Sequence, residues 1–115
     1  MKTILQIEFS PGLLEDRGAI LRRYGCTVMS VLGFDEARAF NPVAHNVGVV
    51  VIGHGALREE RQQFVSLFRE KVPDIIIVCL LRYTDTPFGE ADFNVPADNP
   101  ALWERTVIQA AECYH

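Results

Sequence analysis

The side chains suited to chemistry lie in short stretches just beyond apolar runs: Glu8-Phe9-Ser10, Gly53-His54-Gly55 and Arg82-Tyr83. His54 could act as acid, base or metal ligand, and its flanking glycines would let the backbone approach a ligand closely. The same two glycines are expected wherever a buried strand turns sharply into a helix, so a structural turn and a ligand site are the two readings of this motif. No second histidine or cysteine stands at ligand spacing, with His45 in a loop and His115 at the terminus, and no metal is expected. Ser10-Pro11-Gly12 could hold an anion on free backbone NH groups, but it lacks the glycine spacing and lysine of a phosphate loop, and a helix cap explains it. Ser10, His54 and Arg82 are thus the candidate residues of a ligand site. Cys79 lies inside an apolar run without a cationic neighbour in sequence, which marks an inert thiol. Asp85 and Glu90 could form an acid-base pair or be ordinary exposed loop charges.

The elements that must position these residues follow from hydrophobic period. Ile4 to Ile7, Val47 to Ile52 and Ile75 to Leu81 are apolar and rich in β-branched residues. Strands of that kind are buried on both faces, as parallel strands between helices are, and ligands of such sheets gather beyond the carboxyl ends. Strands are expected at 3–9, 26–31, 47–52, 75–81 and 91–95. Helices are expected at 11–24, 35–40, 56–71 and 100–113. Ser10-Pro11 and Asn99-Pro100 are cap-plus-proline starts, Gly25 is a helix stop, and Asn41-Pro42 and Pro73 are breaks. Leu14, Gly18 and Leu21 recur at helical spacing in the first helix. Leu57, Phe64, Leu67 and Phe68 form the apolar stripe of the third, with Arg58, Glu59, Arg61, Arg69 and Glu70 elsewhere. Residues 82–90 are rich in Thr, Asp, Pro and Gly and leave room for one or two helical turns at most. The pattern predicts an α/β fold, a three-layer doubly wound parallel sheet of five strands in the flavodoxin-like order 2-1-3-4-5, with its fourth helix short or missing.

At 115 residues the chain fits a single domain, 1–115. Its net charge of -4 and scattered basic residues exclude the basic face that nucleic acid or an anionic membrane would require. The N-terminus lacks a signal-peptide pattern and no run reaches membrane-spanning length, so a soluble cytoplasmic protein is expected. Cys26, Cys79 and Cys113 are odd in number and widely spaced, which suits reduced thiols, those at 26 and 79 acting as small hydrophobes. The last helix carries Leu102, Trp103, Val107, Ile108, Ala110, Ala111 and Tyr114, more apolar surface than one buried stripe needs. Phe93, Trp103, Val107 and Tyr114 are therefore candidates for a homodimer or partner face; in the other reading Leu102, Val107 and Ala110 are core and Trp103 caps an edge.

Four patterns occur in order along essentially the whole chain: Ile4-Leu5-Gln6-Ile7-Glu8-Phe9, then Leu21, Gly25 and Val28, then Gly33-Phe34-Asp35-Glu36-Ala37, then Ala91-Asp92-Phe93. Together they resemble the receiver domain of bacterial two-component response regulators. The resemblance implies where that family's phosphorylation chemistry would sit, and this sequence departs there. Glu8 stands for one member of the magnesium-binding acidic pair and Phe9 replaces the other. Gly53 aligns with the phospho-acceptor aspartate, and a shift of one residue gives Ile52 or His54, neither a carboxylate. Cys79 or Leu80 falls at the hydroxyl position of strand 4, and Val95, before Pro96, at the lysine. No acylphosphate forms on glycine, and a lone Glu8 beside Phe9 cannot supply the hard oxygen cage of magnesium. Without clustered acids, no counter-charge is expected at the pocket either. The expectation is a phosphorylation-independent pseudo-receiver without catalytic residues or cofactor, acting in signalling through a protein partner, a second copy of itself included; the alternative is a small enzyme or ligand binder around His54.

Overall fold

The computed structural model describes residues 1–113. The elements run β1 (Thr3–Glu8), α1 (Pro11–Arg23), β2 (Val28–Leu32), α2 (Gly33–Ala39), β3 (Val47–Ile52), α3 (Arg58–Lys71), β4 (Ile76–Leu81), β5 (Phe93–Pro96) and α4 (Pro100–Ala111). The five strands form one sheet in the order β2-β1-β3-β4-β5, every neighbouring pair parallel. The expected architecture is the one observed. Among the described residues, no helix is long and apolar enough to cross a membrane.

Alternation between two cores explains why the central strands are apolar at nearly every position; the buried Gln6 of β1 is the mid-strand exception, donating to Leu14 O at 3.1 Å and accepting from Ser30 Oγ at 2.9 Å. Leu5, Ile7, Val50, Ile52, Ile77 and Cys79 point into one core with Phe64, Val65 and Phe68 of α3 and Ala37 of α2. Ile4, Val49, Val51, Val78, Leu80 and Val95 point into the other, against Leu21 of α1 and Trp103, Val107 and Ala111 of α4. Neither face of the central strands meets water, so the rim is where polar groups collect.

The differences from the sequence reading have local causes. Ser10 precedes α1, but its side chain makes no cap hydrogen bond; only its carbonyl accepts, from Leu14 N at 3.0 Å. Asn99 does cap α4, its side chain accepting from Leu102 N at 3.2 Å. Gly25 stops α1 in the left-handed region, φ +82°, a conformation costly for other residues. Strand β2 starts late because Cys26 turns back to donate to Leu21 O at 3.2 Å. The expectation of free thiols at 26 and 113 is corrected: the two are joined as a disulfide, Cα atoms 5.3 Å apart, and only Cys79 is free. Spacing could not reveal this pair, because 87 residues separate its members and only the fold brings them together. Strand β5 begins at Phe93 because the Asp92 carboxylate is taken by Ile77 N at 2.7 Å and Arg69 at 2.8 Å.

No helix intervenes between β4 and β5. The link instead inserts one ring: Phe88 is 1% exposed and belongs to the core shared with α2 and α3. The Arg58 guanidinium lies over that ring at 4.1 Å and donates to the carbonyls of Thr86 and Pro87 at 2.6 and 3.2 Å. The Asn94 side chain both accepts from Phe88 N and donates to Phe88 O, at 2.8 and 3.1 Å. A single aromatic side chain thus covers sheet that a helix would otherwise cover. Phe88→Ala is expected to lower stability by about 3 kcal/mol, read as a lower urea midpoint with an unchanged far-UV circular dichroism spectrum.

Candidate functional site

Beyond the carboxyl ends of β1 and β3 lies a buried ion pair. Glu8 ends β1 with its side chain 0% exposed, and Arg17, in the second turn of α1, donates to its Oε2 at 2.8 Å with 9% exposure. Two charges out of water are tolerable only as partners. Arg17 also donates through Nη2 to His54 Nδ1 at 3.3 Å, and its guanidinium lies 5.8 Å from the Trp103 ring centroid. One arginine therefore joins β1, the end of β3, α1 and α4.

Gly53 is the space that this arrangement requires. Its amide donates to Ile7 O at 2.8 Å, and a Cβ built there would land on the Glu8 carboxylate well inside van der Waals contact. A side chain at residue 53 would require the Glu8 carboxylate to move from its present position.

Burial pushes the Glu8 carboxyl above its ordinary range, opposed by the Arg17 hydrogen bond and charge. Its Oε1 has no hydrogen-bond partner among the described residues. His54 is held below the usual imidazole value by burial, then by the charges of Arg17, Arg82 and Arg61. A neutral ring accepting from Arg17 at Nδ1 carries its proton on Nε2. Arg82 Nε donates to His54 O at 2.8 Å and its Nη2 to Ala56 O at 2.5 Å, which fixes the turn that follows β3.

Asp85 is not half of an acid-base pair. Arg61, only 1% exposed, grips both its oxygens at 2.9 Å, and Arg82 N donates to it at 2.8 Å. The Arg61 hydrogen bond, more than any other influence, holds its carboxyl down at about 2. Glu90 is exposed and only its carbonyl is engaged, by Arg69 at 3.2 Å. Cys79 is buried, and burial pushes its thiol up to about 12, which disfavours the thiolate.

Of the ligand candidates, His54 and Arg82 come together and Ser10 does not join them. They line a cleft of about 470 Å³ with Leu81, Tyr83, Thr84, Ala97 and Asp98. Phe9 is half-buried and stacks on Phe64, ring centroids 6.1 Å apart, and Val95 is core. Of the interface candidates, Phe93 is 44% exposed on edge strand β5, while Trp103 and Val107 are 3% and 0% exposed. The expectation that Trp103 and Val107 form a docking face is corrected: α4 needs both to cover the sheet. Tyr114 lies outside the described residues.

The expectation of a pocket without counter-charge is also corrected, because Arg17 supplies one. Its signal is in the sequence: Leu14, Arg17, Gly18 and Leu21 share one helical stripe, and a charge on such a stripe must be buried and paired. Arg61, spaced with the buried Phe64, Val65 and Phe68, is the same case, whereas Leu57, expected on that stripe, precedes α3 and is 65% exposed. The rim does not fit a divalent cation. Its one carboxylate at the ends of β1 and β3 is engaged by Arg17, and no group of three His, Cys, Asp or Glu that could hold a metal occurs among the described residues.

No family model and no curated protein matches the sequence. Among solved structures, the chain is similar to the response regulator TrrA of Thermotoga maritima in complex with magnesium and beryllofluoride, at 21% identity and TM-score 0.80, covering 96% of this chain and 99% of that one. TrrA in complex with the histidine kinase ThkA matches at 20% identity and TM-score 0.76, covering 96% and 98%. A putative pilus assembly-related protein of Burkholderia pseudomallei matches at 13% identity and TM-score 0.75, covering 100% and 92%. At these identities the likeness is one of fold: this chain has the fold of response-regulator receiver domains.

Gly53→Ala is expected to cost about 2 kcal/mol through the collision with Glu8, measured by chemical denaturation. Arg17→Met leaves Glu8 buried without its partner and raises its carboxyl further. A raised acid stabilises the fold fully below its unfolded value near 4.5 and loses that contribution as pH rises through its folded value. The Arg17→Met variant should therefore lose stability relative to wild type between pH 4.5 and 8, by about 3 kcal/mol at the upper end, measured by urea denaturation across that range.

Proposed function

We propose that this chain is a phosphorylation-independent receiver-fold module, not an enzyme, that acts in signalling or regulation by binding a protein. The observation that carries the reading is the Glu8 carboxylate, neutralised by Arg17, lying against Gly53 where a side chain would otherwise project. In the resemblance, residue 53 is the phosphoryl acceptor. A glycine there has no oxygen to accept, and the neighbouring carboxylate already has a permanent cation. The charge at the rim is set by two side chains of the folded chain and needs no donor to set it.

The fold supports a protein partner, since TrrA, of the same fold, is found in complex with a histidine kinase. The partner includes, as one outcome of the test, a second copy of the chain; exposed Phe93 at the outer edge of β5 supports that edge as the contact. Incubated with acetyl phosphate and magnesium, the protein is expected to keep its intact mass, and beryllofluoride with magnesium is expected to leave its amide spectrum unchanged. A stoichiometric, magnesium-dependent phosphoryl adduct ends the reading. Light scattering over a concentration series then separates self-association from a different partner.

The cleft beside His54 favours a second reading, a small-ligand site at the carboxyl ends of β3 and β4. A nucleotide and metabolite panel that raises the melting temperature of wild type but not of His54→Ala would establish it, and equal flat responses would dismiss it.

A further inference from the structure

The disulfide joins the link after α1 to the end of α4, whose last turns rest on the core through Val107 and Ala111, both 0% exposed. Cys26 sits in the link between α1 and β2, and Cys113 directly follows Glu112, whose left-handed φ of 59° ends α4. Both are buried, 6% and 3% exposed, in the core beneath α1 and α4. Besides the disulfide and this packing, the end of α4 is tied to the residue before β1 by Lys2 N to Ala111 O at 2.7 Å and by a half-exposed Lys2–Glu112 ion pair at 3.2 Å, while the Cys113 N to Ile108 O bond at 3.0 Å closes the helix on itself. A surface pair of that kind contributes little.

We propose that Cys26 and Cys113 form a reversible redox clamp on the terminal helix: oxidised, they hold the last turn of α4 on the sheet; reduced, they let it open locally.

A low-molecular-weight disulfide such as glutathione disulfide suffices as the oxidant. One thiolate attacks it, forming a mixed disulfide and releasing one glutathione; the second protein thiolate displaces the other glutathione. Two electrons pass to the oxidant, and the two protons from the cysteines end on the two released thiols. Because the clamped cysteine follows the end of α4 directly, only the last turn has to lift for a reductant to reach the bond. Cys79 does not compete, being buried in β4 on the opposite face of the sheet. The clamp also reaches the rim, since Trp103 of α4, the single tryptophan of the chain, lies beneath the Arg17 guanidinium.

The test takes the full chain through glutathione buffers from oxidising to reducing, counting free thiols by alkylation under denaturing conditions and reading hydrogen exchange by residue. Oxidation should bury two of the three thiols in a bond, reversibly. Reduction should speed exchange of the amides of residues 107–113 tenfold or more, leave β1 and β3 protected, and lower the melting temperature by about 10 °C. Cys26→Ser should behave as the reduced form in every buffer. The proposal fails if the pair stays reduced in oxidising buffer, or if oxidised and reduced protein exchange alike at residues 107–113; the reduced wild type decides the matter even if the variant does not fold.

Discussion

The structure at the rim follows from one constraint: a carboxylate at the end of a fully covered strand must be neutralised by something that reaches it from above. Glu8 sits where β1 leaves the sheet, and water does not reach its side chain. Arg17 reaches it from α1, and the rest adjusts to that geometry. The glycine at residue 53 leaves the space in which the carboxylate stands. His54 presents an unprotonated Nδ1 because a guanidinium points at it. Trp103 is buried beneath the same group, which ties the terminal helix to the pair. Such a pair adds little net stability over an apolar replacement, yet losing one partner is costly, so it specifies an arrangement more than it strengthens the fold.

The other side of the rim uses the same device to replace a missing element. With no helix between β4 and β5, the loop carries Phe88 into the core, and Arg58 and Arg61 both face that ring, at 4.1 and 5.2 Å. Arg61 is itself fixed by Asp85, whose carboxylate also accepts from the first amide of the loop. Four arginines thus gather around one rim, and each is committed: 17 to a carboxylate, 61 to another, 58 and 82 to carbonyls. These contacts hold the loops at the rim in place.

The fold of response-regulator receiver domains here carries a buried Glu8–Arg17 pair at its rim. A fold need not fix an activity, because the sheet is stabilised by its two apolar faces and the loops at its carboxyl edge can change without disturbing them.

Strand order, helix placement and the absent fourth helix were legible in the residues, because apolar runs buried on both faces, cap-plus-proline starts and a short proline- and glycine-rich crossover are local signals. The glycine at 53 and the lone carboxylate at 8 were legible too. What the chain could not disclose by spacing alone was who meets whom: Arg17 with Glu8, Arg61 with Asp85, Cys26 with Cys113, and the inward turn of Trp103 and Val107. Those partners lie on different elements, from 9 to 87 residues apart. Periodicity reports which face a residue occupies; only the packing of helices on the sheet decides what stands opposite, and burial then requires every charge to be matched.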